Sequence, residues 1–416
     1  MSKIEELIKQ YCPDGVEIKK IKDICNNITS GGTPSSGVSA YYGGDIPWLR
    51  TQEVDFCEIN STGMTITEEG LKNSSAKWIP SYCVIVAMYG ATVGKVGYNT
   101  IPLTTNQACC NLEINSDKAN YKYIYYCLSN QYENIKAMGQ GSQTNINVQI
   151  VKNLEIPVPP LTVQKEIVSI LDNFTELTAE LTAELTARKQ QYNFYRDKLL
   201  TFEDSKVEWK KLKDICEVYD GTHQTPEYKN SGVKFASVEN ITNPYETLKY
   251  ISVDDYNKNY KIKPQINDIL MTRIGSIGSC YVIDRNEDLA YYVSLALLRP
   301  NNSIINSVFL KYYIESNFGK KELYKRTLIH AVPIKINKND IGEISVAIPS
   351  LEVQERIVNV LNNFDKICSD LGIGLPAEIE ARQKQYEYYR EKLLTFDNKV
   401  ETLLTEPNRT EPNRTN

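Results

Sequence analysis

The sequence predicts a mixed α/β protein with two similar sheet-containing modules, separated by two long antiparallel helices that form a coiled coil. The two halves are predicted to be related as a pseudo-twofold tandem repeat. Three observations predict this fold class: segments recur along the chain, two blocks have the apolar periodicity of long helices, and the other blocks alternate short apolar runs with turn residues.

The repeat is strongest in the two helical blocks. The sequence ARKQQYNFYRDKLLTF at 187–202 returns as ARQKQYEYYREKLLTF at 381–396, with 11 of 16 positions identical. Similarly, PPLTVQKEIVSILDNF at 159–174 returns as PSLEVQERIVNVLNNF at 349–364. The two helical blocks are therefore expected to have the same structural role. Two intervening blocks that share a framework but differ in their loops are suited to two different targets.

These repeats divide the chain into five segments. They are a first module at 1–157, a central helical spacer at 158–205, a second module at 206–348, a distal helical spacer at 349–398 and a polar tail at 399–416. We expect the tail to be disordered because it is polar and repeats the sequence TEPNR. Short apolar runs predict strands at Ile46–Leu49, Cys83–Met88, Ile269–Ile274 and Leu295–Leu298, and helices are predicted at 120–130 and 307–317.

The central spacer has the pattern of one long helix. Apolar side chains recur every three or four residues from Ile167 to Leu199, and no Gly or Pro interrupts the block 162–200. Its middle contains a four-residue tandem, TAEL at 178–181 and again at 182–185.

The distal spacer has the same pattern with one interruption. It contains Gly372, Gly374 and Pro376, so we expect a break there and a new helix that begins at Pro376. Neither spacer can bury so long an apolar stripe alone, which predicts that the two pair as an antiparallel coiled coil. The alternative is that each helix packs only on its own neighbouring module.

The composition is typical of a globular protein without a membrane span. No apolar run approaches the roughly 20 residues that a membrane helix needs, and the N-terminal sequence MSKIEELIKQ lacks the apolar core of a signal peptide. Ten cysteines are scattered without a C-x-x-C pair, which favours reduced thiols over disulfides or a zinc site. We therefore expect a cytoplasmic protein with no membrane partner.

The net charge of −5 argues against a strongly basic DNA-binding surface. Residues 16–157 contain 11 Lys and Arg against 12 Asp and Glu, whereas residues 206–347 contain 20 against 17. If this protein holds DNA, partner chains must supply much of the positive charge that neutralises the phosphates.

Several short motifs resemble enzyme signatures but lack essential parts. GATVGK at 90–95 has three residues between its glycines instead of four, and GSIGS at 275–279 has no lysine, so neither is a nucleotide-binding loop. NPY at 243–245 lacks the second proline of the amino-methyltransferase motif N-P-P-Y. His223 and His330 are the two histidines, and neither has a ligand-type residue at metal-binding spacing. These observations predict a chain that is not catalytic by itself.

With this repeat order, the paired Q-Y-x-x-Y-R-x-K-L-L-T-F endings and the P-x-P-P-L-x-x-Q helix start, the chain resembles the specificity subunits of type I restriction-modification enzymes over nearly its full length. The TAEL tandem looks like that of the type IC branch. The resemblance implies two target-recognition domains that together read a bipartite, asymmetric sequence in double-stranded DNA. It implies two DNA adenine methyltransferase subunits docked on the helical spacers, and restriction subunits that complete the enzyme. It also implies no cofactor in this chain, with S-adenosylmethionine, ATP and Mg²⁺ bound by the partner subunits.

The TAEL tandem has a mechanical interpretation. Removing one copy shortens a helix by four residues, or about 6 Å, against about 3.4 Å per base pair of duplex, and turns the helix only about 40° beyond one full turn. We therefore expect the number of copies to set the spacer between two unchanged half-sites. The alternative is that the tandem is an ordinary packing helix.

DNA contacts need Arg, Lys, amide and hydroxyl side chains on loops. In the first module the candidates for DNA binding are Ser30, Thr33, Ser35, Arg50, Thr51, Gln52, Tyr89, Thr92, Lys95, Gln143, Thr144 and Asn145. In the second module they are Thr222, His223, Gln224, Thr225, Ser237, Asn240, Arg273, Ser276 and His330. Arg50, Arg273 and Gln143 are the leading candidates for base contacts. The alternative for each residue is a solvated turn, because turns favour the same residue types.

Two other functions remain open at this point. The chain could be a non-catalytic coiled-coil adaptor without sequence-specific DNA binding, in which case its complex with a methyltransferase would show no sequence preference. It could also be a self-sufficient nuclease or methyltransferase, which the missing motifs disfavour.

Overall fold

The computed structural model describes residues 3–139, 145–203, 207–369 and 374–396. The helices of these residues are, in chain order, α1 Lys3–Tyr11, α2 Ile21–Ile24, α3 Glu68–Lys72, α4 Tyr121–Asn130, α5 Tyr132–Ala137, α6 Val148–Lys152, α7 Leu161–Leu199, α8 Leu212–Ile215, α9 Val253–Asn259, α10 Ser307–Glu315, α11 Asn317–Tyr324, α12 Lys338–Gly342, α13 Leu351–Ser369 and α14 Leu375–Thr395.

The strands of the first module are β1 Ile18–Lys20, β2 Cys25–Ser30, β3 Tyr42–Leu49, β4 Glu58–Ile59, β5 Thr65–Ile66, β6 Trp78–Ile79, β7 Val84–Ala87, β8 Val96–Asn99, β9 Leu103–Thr105, β10 Cys109–Ile114 and β11 Glu155–Pro157. Those of the second module are β12 Glu208–Lys211, β13 Cys216–Asp220, β14 Val233–Ala236, β15 Tyr250–Ile251, β16 Ile269–Thr272, β17 Cys280–Val282, β18 Leu289–Tyr291, β19 Leu295–Pro300 and β20 Ser345–Ile348.

The chain folds into two compact units. The first unit joins Met1–Glu180 to Glu380–Asn416, and the second unit is Leu181–Ile379. Each unit contains one of the predicted modules together with part of α7 and a later long helix, which is most of α14 in the first unit and α13 in the second.

The first unit contains mixed sheets. A five-stranded sheet has the order β2-β10-β7-β8-β4, a four-stranded sheet has the order β5-β3-β9-β6, and β1 pairs with β11. The pairs β3–β9 and β4–β8 are parallel, and the other pairs are antiparallel. One face of the larger sheet packs on α4, where Val84, Val86 and Leu112 share a buried core with Tyr123 and Ile124.

The second unit repeats this topology. Its four-stranded sheet has the order β13-β19-β16-β17, a three-stranded sheet has the order β15-β14-β18 with β14–β18 parallel, and β12 pairs with β20. In both units a central strand, β10 or β19, lies between the second strand of the module, β2 or β13, and the strand that leads to the Gly-containing loop, β7 or β16. The predicted pair of mixed-sheet modules is therefore confirmed.

In the first unit, the start of α7 packs against the C-terminal helix α14. The side chains of Ile167 and Leu171 are buried in one core with Leu393 and Leu394. One turn further along α7, the ring of Phe174 stacks on Tyr389, with 5.4 Å between ring centroids. The contacts move toward the C-terminus of α7 and toward the N-terminus of α14, so the two helices are antiparallel.

In the second unit, the end of α7 packs against α13 in the same way. The ring of Tyr195 stacks on Phe364 at 5.8 Å between centroids, and Leu200 shares a buried core with Ile357 and Leu361. The predicted antiparallel pairing of the two helical spacers is thus confirmed in each unit. The C-terminal helix α14 follows the second module in the chain but packs in the first unit. The alternative, in which each spacer helix packs only on its own neighbouring module, is therefore wrong.

The predicted elements agree closely with the structure. The block expected at 162–200 is α7, Leu161–Leu199, and the new helix expected at Pro376 begins at Leu375. Residues 370–373, where the break is expected, and the tail at 399–416, which is expected to be disordered, lie outside the described residues. None of the described helices combines the length and the apolarity that crossing a membrane requires.

A buried glutamine fastens each long helix to its module. Gln164 is fully buried, and its Oε1 accepts a hydrogen bond from the backbone N–H of Asn120 at 2.8 Å. Gln354 repeats this arrangement with the N–H of Asn306 at 2.7 Å. Both asparagines are N-caps, of α4 and α10, so this contact fixes the start of the long helix on the start of the module helix.

Candidate nucleic-acid interface

In the first unit, backbone hydrogen bonds gather the loops that follow β2, β3 and β9. The N–H of Gly32 donates to the carbonyl of Thr105 at 2.9 Å, and the N–H of Asn106 donates to the carbonyl of Leu49 at 2.9 Å. A Cβ on Gly31 would lie within 1.8 Å of the Thr105 carbonyl oxygen, so only glycine permits this approach.

The loop after β7 joins the same edge. The hydroxyl of Thr92 donates to the carbonyl of Thr51 at 2.8 Å, and the N–H of Ile146 donates to the carbonyl of Met88 at 3.0 Å. We call the first recognition surface the edge formed by Ser30–Ser35, Arg50–Gln52, Tyr89–Lys95 and Asn145. It brings together the predicted candidates of the first module, except Gln143 and Thr144, which lie outside the described residues.

The candidates on the first recognition surface differ in exposure. The exposed ones are Thr33, Ser35, Gln52 and Tyr89, and the half-buried ones are Ser30, Arg50, Thr51, Thr92, Lys95 and Asn145. The Arg50 Nε lies 3.4 Å from a Glu53 carboxylate oxygen, and the Lys95 Nζ lies 2.7 Å from Asp55. Part of the positive charge of this surface is therefore neutralised within the protein.

In the second unit, equivalent bonds gather the corresponding loops. The N–H of Thr222 donates to the carbonyl of Tyr291 at 3.2 Å, and the N–H of Arg273 donates to the carbonyl of Ser294 at 2.9 Å. The N–H of Ile336 donates to the carbonyl of Arg273 at 3.0 Å, as Ile146 does to Met88 in the first unit.

We call the second recognition surface the edge formed by Asp220–Thr225, Ser237–Asn240, Arg273–Gly278 and 328–335. The exposed candidates on it are His223, Gln224, Thr225, Ser276 and His330, the half-buried ones are Thr222 and Asn240, and the buried ones are Ser237 and Arg273.

Arg273 is held inside the second unit. Arg273 is only 7% exposed. Its Nη1 forms an ion pair with Asp220, and its Nε donates a hydrogen bond to the carbonyl of Ile336 at 3.2 Å. Breaking a buried ion pair is costly, because it leaves one charge without its partner. The guanidinium thus ties the ends of β13 and β16 to the segment before α12, and its predicted contact with a base stays a prediction.

A turn that occurs once in each unit shows how the two units differ. After β3, the N–H of Arg50 donates to the side chain of Glu53 at 3.2 Å, and after β14 the N–H of Ser237 donates to the side chain of Asn240 at 2.8 Å. The two turns have the same form but display different side chains. Each unit therefore offers a different set of hydrogen-bonding groups on one framework.

The glycine loops repeat as well. Gly90 and Gly275 have φ of 80° and 78°, and no neighbouring atom lies within 4 Å of a Cβ built on either. Glycine is favoured at these positions because φ is positive, and not because another part of the protein approaches the backbone closely. The resemblance to a nucleotide-binding loop thus reflects a tight connection after β7 and β16.

Sequence reasoning missed two polar residues at these edges. The hydroxyl of Thr33 donates to the Gln107 side chain, and the N–H of Val238 donates to the hydroxyl of Ser294 at 3.2 Å. Gln107 and Ser294 both lie just before the central strands β10 and β19. The signal in the sequence that could have identified these two residues is a polar residue just before an apolar strand.

The buried thiols have no chemical role that the structure supports. Burial raises the pKa of the Cys83 and Cys110 thiols to about 12, so they stay protonated near neutral pH. Within the described residues, no group of three or more His, Cys, Asp or Glu side chains is arranged to hold a metal ion.

Comparison with known proteins gives consistent matches. A family model described as the type I restriction modification DNA specificity domain matches residues 13–188 and again residues 204–381. The EcoR124I/EcoR124II specificity subunit of Escherichia coli is 34% identical over 294 residues, which cover 67% of this chain and 72% of that protein. A putative type I specificity subunit of Haemophilus influenzae is 27% identical over 92% of this chain and 96% of that protein.

A solved structure described as showing complex assembly and conformational transition of the type I R-M system has a similar fold. Its TM-score is 0.65 at 16% identity, and the match covers 92% of this chain and 98% of that one. At this identity the likeness concerns the fold alone.

Proposed function

The chain belongs to the type I restriction-modification DNA specificity family, and from this premise we propose that it selects the bipartite, asymmetric DNA sequence at which its complex acts. Each recognition surface would read one half-site. The observation that supports this most directly is that the two surfaces share a framework and differ in their side chains. As a specificity subunit, the chain is not itself the catalytic part of the enzyme.

The exposed amides are the side chains best suited to read bases. Gln52 on the first surface and Gln224 on the second are both exposed, and an amide can form two hydrogen bonds with adenine in the major groove. Arg273 would also hold the loop on which Ser276 lies, through its ion pair with Asp220. The polar side chains of Thr33 and Thr222 would contact phosphates or bases beside them.

The helical repeat offers two equivalent docking patches. In the second unit, Phe194 is exposed and the Lys198 Nζ lies 5.9 Å from its ring centroid; in the first unit, Tyr388 is exposed and the Lys392 Nζ lies 5.5 Å from its ring centroid. Exposed aromatic side chains are typical anchors of protein interfaces. We propose that each patch binds one methyltransferase subunit and that restriction subunits complete the complex.

The partner subunits would also provide the cofactors and much of the positive charge of the complex. We propose that they bind S-adenosylmethionine, ATP and Mg²⁺, and that they supply much of the positive charge that the DNA phosphates require, because this chain has a net charge of −5. We further propose a cytoplasmic complex. Membership of the type IC branch, suggested by the TAEL tandem, stays a prediction.

A matched pair of substitutions tests the assignment of half-sites. We expect Gln52→Ala to relax the sequence preference at one half-site and Gln224→Ala at the other, each by roughly tenfold for a lost amide–base contact. The measurement is single-molecule methylome sequencing of cells that carry the wild-type chain, either variant or no copy of it.

The two variants serve as controls for each other, because a general loss of folding would affect both half-sites equally. If methylated sites show no dependence on this chain, the adaptor function is correct instead. If both variants alter the same half-site, the assignment of one surface to each half-site is wrong.

A further inference from the structure

The connection between α11 and α12 exposes a cluster of aliphatic side chains. Val332 is 99% exposed, and Leu328, Ile329 and Ile334 are each between 41% and 45% exposed. Single exposed apolar residues are common on protein surfaces, but four within seven residues form a patch that marks a contact with something outside the fold. We call residues 328–334 the aliphatic loop.

The aliphatic loop is held in place at both ends. The N–H of Leu328 donates to the carbonyl of Lys335 at 2.8 Å, which closes the loop on itself. The N–H of Gly275 donates to the carbonyl of Ile334 at 2.9 Å, and that of Ile336 donates to Arg273. The loop therefore projects from the second recognition surface, directly beside the glycine loop after β16.

The chain segment that contains the aliphatic loop is basic. Residues 320–338 contain five lysines and one arginine, with Glu322 as their single carboxylate. Lys325 and Arg326 form ion pairs with Glu322, at 2.6 and 3.0 Å. Even so, the segment keeps a positive balance that is complementary to a phosphate backbone and not to an apolar protein face or a neutral ligand.

The first unit has no such chemistry at the equivalent place. The bond from Ile146 to Met88 matches that from Ile336 to Arg273, so the residues before Ile146 correspond to the aliphatic loop. The sequence there, GQGSQTN at 139–145, contains no aliphatic side chain. Any contact made by the aliphatic loop is thus expected for one half-site and not for the other.

We propose that the aliphatic loop packs against thymine methyl groups in the major groove of the half-site that the second module reads. The thymine 5-methyl is the apolar group that base edges present in that groove, and it distinguishes T·A from the other base pairs. The flanking lysines then lie over the phosphates. This inference rests on the proposed function of the second recognition surface and adds to it the kind of base contact.

The test uses the complete complex of this chain with its methyltransferase and a duplex that carries the methylated target. Each thymine of both half-sites is replaced in turn by deoxyuridine, which removes the methyl group and keeps the hydrogen bonds. Val332→Ser is compared with Ile266→Ser, an exposed aliphatic residue at the opposite end of β16. We expect Val332→Ser to weaken specific binding by about threefold to tenfold, the usual effect of one lost methyl or methylene contact, and Ile266→Ser to have no effect.

The proposal also predicts a coupling. Deoxyuridine at one or more thymines of a single half-site weakens binding of the wild-type complex, and the same replacement has no effect on the Val332→Ser complex. Equal binding by the two serine variants overturns the inference, as does weaker binding by Val332→Ser without any response to deoxyuridine. A wild-type complex with no preference for the bipartite duplex overturns the proposed function instead, so the two failures are distinct.

Discussion

At the scale of single residues, the two units make the same contact with different chemistry. The hydroxyl of Tyr126 donates to Asp172 at 2.6 Å, and that of Tyr312 donates to Asn362 at 2.7 Å, each from a module helix to a long helix. The Lys122 Nζ also lies 2.8 Å from Asp172, whereas α10 has a valine at the matching position. The carboxylate is therefore present where Lys122 pairs with it, and the amide where valine replaces that lysine.

Glu315 is a largely buried carboxyl of the second unit whose ionisation should affect stability. Burial raises the pKa of this carboxyl, although the positive charge of Lys311 and the hydrogen bond from the Cys280 N–H, at 2.9 Å, oppose that effect. Because the folded state holds the proton more tightly than the unfolded state, the free energy of unfolding falls as pH rises from the unfolded pKa through the folded pKa.

Glu315→Gln should remove this pH dependence. Glutamine keeps an acceptor for the Cys280 N–H and carries no charge, so the variant should gain stability relative to wild type as pH rises from the ordinary pKa of a glutamate carboxyl, about 4.5, through the raised pKa of the folded state. Urea denaturation between pH 5 and 8 measures the difference. Glu355→Gln, at an exposed position of α13, is the control and should show no trend; a constant difference at all pH values contradicts the assignment.

At the scale of elements, α7 is continuous through the TAEL tandem. The helix spans Leu161–Leu199 without interruption, and Leu181 and Leu185 of the tandem are half-buried, whereas Ala183 and Glu184 are exposed. A regular helix transmits the insertion of four residues as a change in length with only a small rotation. This continuity is the condition that the predicted spacing role requires.

Deleting residues 182–185 should shorten the spacer between the half-sites. A loss of about 6 Å of helix corresponds to one or two base pairs at about 3.4 Å each, and both half-sites should stay the same. Methylome sequencing of the deletion strain reads the spacing directly. Glu184→Gln, which keeps the helix length, is the control; a deletion strain with the original spacing would show that the tandem only packs.

At the scale of the whole molecule, each unit is completed by distant parts of the chain. The first unit needs α14 for its core, since Leu393 and Leu394 are buried beside the start of α7. The same motif at the end of α7 is part of the second unit, where Arg196 is buried and Asp197 accepts a bond from the Asn317 N–H at 3.0 Å. One repeated motif therefore gives each unit an equivalent outer helix face.

The two aromatic patches should bind partners independently. We expect Phe194→Ala to leave one methyltransferase subunit on the chain and the double variant with Tyr388→Ala to leave none, since truncating an interface aromatic weakens binding by roughly tenfold or more. Native mass spectrometry of the assembled complex counts the subunits. Asn193→Ala, at the exposed neighbouring position, is the control; loss of both partners from Phe194→Ala alone would indicate a shared site.

The sequence alone determined the repeat, the long helices and the class of the protein. Apolar periodicity and turn residues act within a few positions along the chain, which is why α7, the start of α14 at Leu375 and the module helices could be predicted within a residue or two. Three of the candidate loops, which begin at Arg50, Tyr89 and Arg273, lie at the ends of strands that the sequence predicted.

Only the tertiary structure decided which distant segments meet. That Arg273 pairs with Asp220, that α14 completes the first unit, and that the aliphatic loop lies beside Gly275 all depend on contacts between residues far apart in the chain. A single sequence does not encode such contacts as local patterns, since side-chain burial and ion pairing are set by how sheets and helices pack. For that reason the sequence could offer Arg273 as a candidate for base contact but could not show its ion pair with Asp220.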